Sequence, residues 1–375
     1  MKYLELGQIE SIQIDHTSRC NLLCPQCARV YKGSVNPEMP IGELTLDDYK
    51  AIFTETLIKN VKLITQCGNY GDVIASNNIL ECLRWLRQQG SNAFINIMTN
   101  GSARNKDWWI ELADIIGDRG KVVFSIDGLT DTNSIYRVNS NFDKIIENAK
   151  TFISANGKAR WDFLVFSHNE HQVEEAKKLA QDLGFIEFNV KKTNRFVNEK
   201  NYQGWVKTKL VDTVKTKKSE YSIQAPTQKY QAASSLQFDQ IVKEFGSWNN
   251  YIDKTSINCK FRNQKSIFID FEARLWPCTW TASGMYHYGV NTQKEQLRQL
   301  LDHYGYNFNS VRHHSLEQIL NHEWLNSKLV ESWELKIDSK PVPKLMCCGR
   351  TCGGIYDFSS SSDKNRERTV FDGKY

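Results

Sequence analysis

The 375-residue sequence has little proline (7) and no apolar run that approaches the roughly 18 to 20 uninterrupted residues of a membrane span. Its first ten residues contain no apolar core of the kind a secretory leader carries. Membrane association and secretion are therefore not expected, and the chain is expected to be cytoplasmic. A strong excess of one charge is also missing. The 48 Lys and Arg against 43 Asp and Glu leave +5, too small a balance to suggest a nucleic-acid partner. Ten cysteines in 375 residues fall far below the density of a disulfide scaffold. Thiols in a cytosolic chain stay reduced, so clustered ones point to metal or catalysis before disulfides. The length suits about two domains with ample core.

Six apolar runs of strand length occupy the first half: Ile9 to Asp15, Val61 to Gln66, Phe94 to Met98, Val122 to Ile126, Trp161 to Phe166 and Phe185 to Val190. Helical patterns lie between them. One carries Leu46, Tyr49, Phe53 and Leu57 and is entered by Thr45 as N-cap with Asp48 three residues on. Another carries Val173, Ala176, Leu179, Ala180 and Leu183 and stops at Gly184. Strand and helix alternating in this way read as a parallel α/β fold, because parallel neighbours need a crossover. An open or partial (β/α) barrel is expected, with its active site at the carboxyl ends of the strands.

The alternation fades from about residue 200 to 250. Residues 191–218 hold nine basic side chains, Lys191, Lys192, Arg195, Lys200, Lys207, Lys209, Lys215, Lys217 and Lys218, against two acidic ones, Glu199 and Asp212. Such a run reads as a solvated connector or as a docking surface for an acidic partner. After Cys259 come a short strand, Ile267 to Asp270, and a helix capped by Ser315 with Gln318. The four serines 359–362 open a polar tail expected to be disordered.

The strongest chemical signal is Cys20-x3-Cys24-x2-Cys27, directly after the first strand. Three thiolates in eight residues can converge on one soft metal centre, either iron–sulfur or zinc. Four ligands close a structural zinc site, and His16 stands near enough in sequence to be the fourth; three cysteines on a [4Fe–4S] cube leave one iron open. This motif after the first strand of a βα series resembles the radical S-adenosylmethionine (SAM) superfamily. That resemblance implies a partial (β/α)6 TIM-like barrel with Cys20, Cys24 and Cys27 on a [4Fe–4S] cluster whose open iron takes the amine and carboxylate of SAM.

The other strand ends fit the resemblance. Tyr70, Gly71 and Asp72 follow the second strand where the family has a glycine-rich acidic turn that receives the SAM ammonium. Asn100 lies in the family-like ending Thr99-Asn100-Gly101, and Ser125 and Asp127 in Ser125-Ile126-Asp127-Gly128. Arg137 stands where many relatives place an arginine near the SAM carboxylate, which a guanidinium fork fits bidentately. His168, Asn169 and Lys191, after the fifth and sixth strands, would face the same mouth.

The second cysteine group, Cys259, Cys278, Cys347, Cys348 and Cys352, resembles the SPASM module or its short form, Twitch. The resemblance implies a small C-terminal α+β domain with an auxiliary iron–sulfur cluster, expected as [4Fe–4S], on Cys259, Cys278, Cys348 and Cys352. Cys348 is preferred to Cys347 because Cys348-x3-Cys352 repeats a spacing common in the module; structural zinc is the alternative. The implied hairpin runs from Ser266 to Cys278, with Ala273 where the family has glycine. Cys82 sits in a helical pattern that suits core packing, and Cys67 adjoins the turn at Tyr70.

The organisation expected is a barrel over 1–200, a basic bridge over 201–250, an auxiliary domain over 251–358 and a tail over 359–375. The implied activity is reductive cleavage of SAM to a 5′-deoxyadenosyl radical that abstracts hydrogen from a peptide or protein side chain. A small alcohol, sugar or aminocyclitol is the alternative substrate, and a non-catalytic zinc-stabilised protein the alternative from another class. A one-electron reductant such as flavodoxin or ferredoxin is the implied partner.

Overall fold

The structure, a computed structural model, describes residues 1–193, 196–198, 207–208, 211–215, 219–232, 238–289, 291–355 and 366–371. The six expected strands form in order: β1 (Ser11–Ile14), β2 (Leu63–Gln66), β3 (Phe94–Thr99), β4 (Gly120–Ser125), β5 (Ala159–Leu164) and β6 (Glu187–Lys191). Each pairs in parallel with the next. The crossovers carry α1 (Leu46–Ile52), α2 (Ile79–Gln88), α3 (Lys106–Ile116), α4 (Phe142–Ser154) and α5 (Val173–Asp182). The chain thus has the mixed α/β architecture and largely parallel sheet of a partial TIM-like barrel. Among the described residues no helix is long and apolar enough to cross a membrane.

Local sequence explains the helices. Thr45 and Asp48 close the expected capping box on α1, with Thr45 N donating to Asp48 Oδ2 at 2.8 Å and Asp48 N to Thr45 Oγ1 at 3.1 Å. In α2 the buried residues are Ile79, Cys82, Leu83 and Leu86, and in α3 they are Trp109, Leu112, Ala113 and Ile116. Both sets follow the i, i+3, i+4, i+7 spacing of one helix face. Cys82 is a core residue, as expected. α5 ends just before Gly184, whose φ of +84° is the left-handed geometry foreseen for it. Trp109, Phe124, Phe152 and Trp161 fill the layer between sheet and helices.

The opposite face of β4 to β6 is polar. Lys121 pairs with Glu187 at 3.2 Å, Arg160 with Asp162 at 2.7 Å and Lys191 with Asp162 at 3.6 Å. Burial pushes the Asp162 carboxyl up, but Lys191 and Arg160 outweigh it and hold it below the usual carboxylate range.

The second half does not stand apart from this sheet. β7 (Ser266–Ile269) pairs in parallel with β1, and β8 (Leu275–Trp276) returns antiparallel to β7. At the turn between them Ala273 adopts φ +59°, the region glycine favours. Asp270 holds that turn, its Oδ1 accepting from Glu272 N and Arg274 N at 3.0 Å each. Beyond the hairpin lie α6 (Thr279–Tyr286), α7 (Thr292–Tyr304) and α8 (Met346–Cys352). Ser315 and Gln318 form the expected capping box.

The tail departs from expectation. Residues 366–370 form β9, antiparallel to β6 in the register Arg366↔Lys191 to Val370↔Glu187. Polar composition argued for disorder, but backbone pairing does not require apolar side chains, and Arg368 adds an ion pair to Glu187 at 2.7 Å. The charged side chains of β9 suit an edge strand. Positions 359–365 and 372–375 lie outside the described residues.

Candidate active site at the strand ends

The chain leaves β1 through Asp15 and His16, both buried. His16 Nδ1 lies 3.1 Å from Tyr49 Oη and Nε2 2.8 Å from Asn78 Oδ1. It is held in the core rather than turned to the cysteines. The cysteine loop follows, fastened by backbone groups. Buried Arg29 donates from Nε to Ser18 O at 2.9 Å and from Nη1 to Leu22 O at 3.0 Å, and Leu23 N donates to Val138 O at 3.1 Å. Cys20, Cys24 and Cys27 are free thiols, each half-buried.

Gly71 sets the height of this loop. A Cβ there would lie 2.0 Å from Thr17 O and 2.7 Å from Arg19 O, so only glycine lets the β2 turn meet the backbone before Cys20. Asp72, next in sequence, locks β2 to β3. Its Oδ1 accepts from Thr99 Oγ1 at 2.8 Å and Ile74 N at 3.2 Å, and its Oδ2 from Asn100 N and Asn100 Nδ2 at 2.7 Å each. The four acceptor positions of the carboxylate are thereby occupied. Burial raises Asp72 above the usual carboxylate range against those bonds. Asn100 also reaches Cys20 Sγ at 3.7 Å and Asn21 Oδ1 at 3.1 Å.

On the far side, Arg137 Nε donates to Asp127 Oδ2 at 2.6 Å, while Asp127 Oδ1 accepts from Leu164 N at 2.8 Å. Burial pushes the Cys24 thiol up to about 11 in spite of the neighbouring Arg137, and pushes Cys20 up to about 12 with a further contribution from Asp72. Such thiols need a cation to ionise them, which a bound metal centre supplies. A thiol trio of this kind at the strand ends fits an iron–sulfur cluster.

Residues 14–182 match the profile of the Radical SAM superfamily. Residues 14–182 thus belong to the radical SAM superfamily. No curated protein matches it in sequence. Among solved structures it is similar to SuiB of Streptococcus suis bound to precursor peptide SuiA, at TM-score 0.51 and 13% identity. That match covers 87% of this chain and 66% of SuiB, so the chain spans just under two thirds of that protein's length. It is likewise similar to anSMEcpe with bound AdoMet and Kp18Cys peptide, at TM-score 0.51 and 13% identity over 91% of this chain and 88% of that one. Identities this low show a shared fold.

In the radical SAM barrel the structure brings Asp72, Asn100, Asp127 and Arg137 around the cysteine loop, with Ser125 half-buried at the end of β4. Tyr70 goes elsewhere. It is 1% exposed and packs edge-on against Tyr286 at 4.8 Å and Phe271 at 5.9 Å, joining the β2 turn to the second half. Asn169 is a turn residue, its Nδ2 donating to Asp127 O at 2.9 Å and Leu164 O at 3.0 Å. His168 stacks on Phe166 at 5.3 Å, and burial pushes it down to about 4, so the ring is neutral.

A hairpin not foreseen from the sequence packs over the mouth. Within the expected bridge, strands Val211–Lys215 and Glu220–Gln224 form a hairpin. Its Val214 and Ile223 are buried with Tyr136, Leu164 and Phe166, against which Cys24 also packs. Tyr221 Oη donates to Ile135 O at 2.6 Å and Ser167 N to Gln224 O at 3.2 Å. Tyr221, Ile223 and Ala225, alternating along and just beyond the second strand, with Val214 on the first, were the available signal, masked by the basic residues around them. Arg195, Lys200, Lys209, Lys217 and Lys218 lie outside the described residues.

The five cysteines of the second half lie in one region, linked by pairwise contacts. Cys259 caps a short helix, its Sγ accepting from Arg262 N at 3.5 Å, and Cys278 precedes α6. Cys347, Cys348 and Cys352 lie on α8. Thr281 Oγ1 lies 3.4 Å from Cys278 Sγ and 3.7 Å from Cys347 Sγ, and Tyr3 Oη 3.9 Å from Cys259 Sγ. The Cys352 thiol beside it draws Cys259 below the usual thiol range. Among the described residues no three His, Cys, Asp or Glu side chains are drawn close enough around one point to hold a single metal ion. The donors gathered are thiols, the chemistry of an iron–sulfur or zinc centre.

Proposed function

We propose that this radical SAM enzyme binds SAM over Cys20, Cys24 and Cys27 and modifies a peptide or protein side chain. When bound there, a reduced [4Fe–4S] cluster with SAM supplies a hydrogen-abstracting 5′-deoxyadenosyl radical. The observation that carries the reading is the meeting of the three-thiol loop with Asn100 and Arg137 under the 211–224 hairpin. Arg137 gives Nε to Asp127, which fixes the guanidinium plane, and also bonds the Cys24 thiol, so its remaining N–H groups are the ones offered to the SAM carboxylate. Asp72 serves by holding Asn100 and the β2 turn, and the turn's backbone, rather than the saturated carboxylate, is left to meet the SAM ammonium. Val214, Ile223 and Phe166 exclude water from the space beside Cys24, which protects a reactive intermediate.

Cys259, Cys278, Cys348 and Cys352 are assigned to an auxiliary cluster. Cys348 is preferred to Cys347 for its Cys348-x3-Cys352 spacing, since both lie near Cys278. A peptide substrate is favoured because SuiB and anSMEcpe, which share the fold, are solved with peptides bound. Anaerobic reconstitution followed by mass spectrometry of candidate peptides tests this reading. 5′-Deoxyadenosine together with a peptide mass change supports it; turnover of a free small alcohol with no peptide product contradicts the substrate, and intact SAM contradicts the activity.

A further inference from the structure

We propose that Lys344 is a positioning residue of the second thiol centre, holding a fixed buried cation beside it that makes the centre easier to reduce; the inference rests on the reading that Cys259, Cys278, Cys348 and Cys352 hold an iron–sulfur cluster. Lys344 stands four residues before Cys348 and is 3% exposed. Its backbone is tied on both sides. Lys344 N donates to Lys336 O at 3.0 Å, Gln296 Nε2 donates to Lys344 O at 3.0 Å, and Gln296 Oε1 accepts from Met346 N at 2.9 Å. The ammonium is tied as well. Nζ donates to Asp253 O at 2.9 Å, Thr255 O at 3.1 Å and Ile252 O at 3.3 Å, so its three N–H groups all meet carbonyls at the end of the helix Trp248–Lys254. That helix lies directly on α8, since a Cβ at Gly349 would come within 2.8 Å of Ile252 Cγ2. The cation is therefore carried by the same packed unit as Cys347, Cys348 and Cys352.

Helix capping accounts for the hydrogen bonds and leaves the charge only partly balanced, because the carbonyls at a helix end supply about half an elementary negative charge. Lysine is almost never fully buried without a counter-ion, and among the described residues Lys344 forms no ion pair with a carboxylate. The charged groups that face it are Asp253, Glu334 and Cys348; burial draws the ammonium below the usual lysine range, and these three oppose that. Asp253 is half-buried, with Oδ1 accepting from Ile337 N at 2.8 Å, and Glu334 is exposed, so water screens both. What the fold does not supply is a buried anion. An iron–sulfur centre on four thiolates supplies one, and reduction adds a further negative charge to it. Net charge is one of the factors that set the potential of such a centre, and a fixed cation in poorly screening surroundings favours the reduced state. The event tuned is the gain of one electron by the centre from a reductant, which loses one; no bond or proton moves.

The test uses the full chain with Cys20, Cys24 and Cys27 replaced by alanine, so that the second centre alone is reconstituted. Its electron paramagnetic resonance signal is titrated with sodium dithionite and mediator dyes to give the reduction potential. Lys344→Gln keeps N–H donors for the helix end and removes the charge, whereas Lys344→Arg keeps the charge and changes the donor geometry. Lys344→Gln is expected to make the centre about tenfold harder to reduce, a fall of about 59 mV for one electron, with Lys344→Arg close to the parent. Asp253→Asn retains an acceptor for Ile337 N and removes an opposing carboxylate, so it should make reduction about twofold easier; it decides the question if Lys344→Gln loses the cluster. An unchanged potential in Lys344→Gln, or in Asp253→Asn where Lys344→Gln binds no iron, overturns the proposal. An equal fall in Lys344→Arg overturns it too, and leaves Lys344 a helix cap. Failure of the underlying reading looks different, because the chain with Lys344 intact then binds zinc, or no metal, at the second centre.

Discussion

Replacing Gly71 with alanine should disturb the cysteine loop more than any other single methyl added to the barrel mouth. The new Cβ would sit 2.0 Å from Thr17 O, and real Cβ contacts are essentially never under 3.0 Å, so the two backbones must separate by at least 1 Å. Both sides are backbone. Thr17 and Ser18 are tied to the 40–43 segment, and Arg19 O accepts from Asp72 N at 2.8 Å. No flexible side chain can absorb the shift, which places the cost toward the upper end of the ~1–3 kcal/mol typical of overpacking. The loop carrying Cys20 moves with it, and a misplacement of about 1 Å at a reacting centre can cost about 100-fold in rate. Thermal unfolding, iron content after reconstitution and the rate of 5′-deoxyadenosine formation measure the three consequences. Gly7→Ala is the control, since an added Cβ there meets nothing within 4 Å. A Gly71→Ala protein with wild-type melting temperature, iron content and cleavage rate would refute the reasoning.

Further outcomes follow from other parts of the molecule. Arg137→Ala leaves Asp127, 1% exposed, as an uncompensated buried charge, so stability should fall by about 3–5 kcal/mol in denaturant melts; adding Asp127→Asn should recover much of that without restoring SAM affinity in equilibrium dialysis. Burial raises Asp15 to about 7 and Asp270 to about 6. Native protein therefore keeps protons that the unfolded chain loses above about pH 4, and unfolding free energy should decline as pH rises from about 4 to 7. Asp15→Asn should flatten that slope. Ile223→Ala empties a buried contact under the 211–224 hairpin; amide exchange there should quicken, and uncoupled SAM cleavage without substrate modification should increase.

Much of the barrel was legible because its six strands are apolar runs and its helices carry their own stop and start signals, Thr45 with Asp48 and Gly184 among them. β9 was illegible for the complementary reason: Arg366 to Val370 is held by backbone pairing to β6 and by the ion pairs Arg368–Glu187 and Lys192–Glu367, none of which leaves an apolar period. The cysteines could be placed by their spacing, but side-chain direction could not. Tyr70 and Asp72 are neighbours in one turn, yet Tyr70 points to Tyr286 and Asp72 to Asn100. Ala273 shows the converse, since a position where glycine is usual keeps its left-handed backbone because Asp270 holds both sides of the turn.

The most direct test of the central claim is made on anaerobically reconstituted wild-type protein and a variant lacking Cys20, Cys24 and Cys27. Iron and sulfide are counted, and the electron paramagnetic resonance of the reduced protein is recorded with and without SAM. The expected result is a signal that SAM alters, together with 5′-deoxyadenosine, both lost with about four irons when the three cysteines are replaced. A zinc-containing, colourless wild-type protein that leaves SAM intact would contradict it.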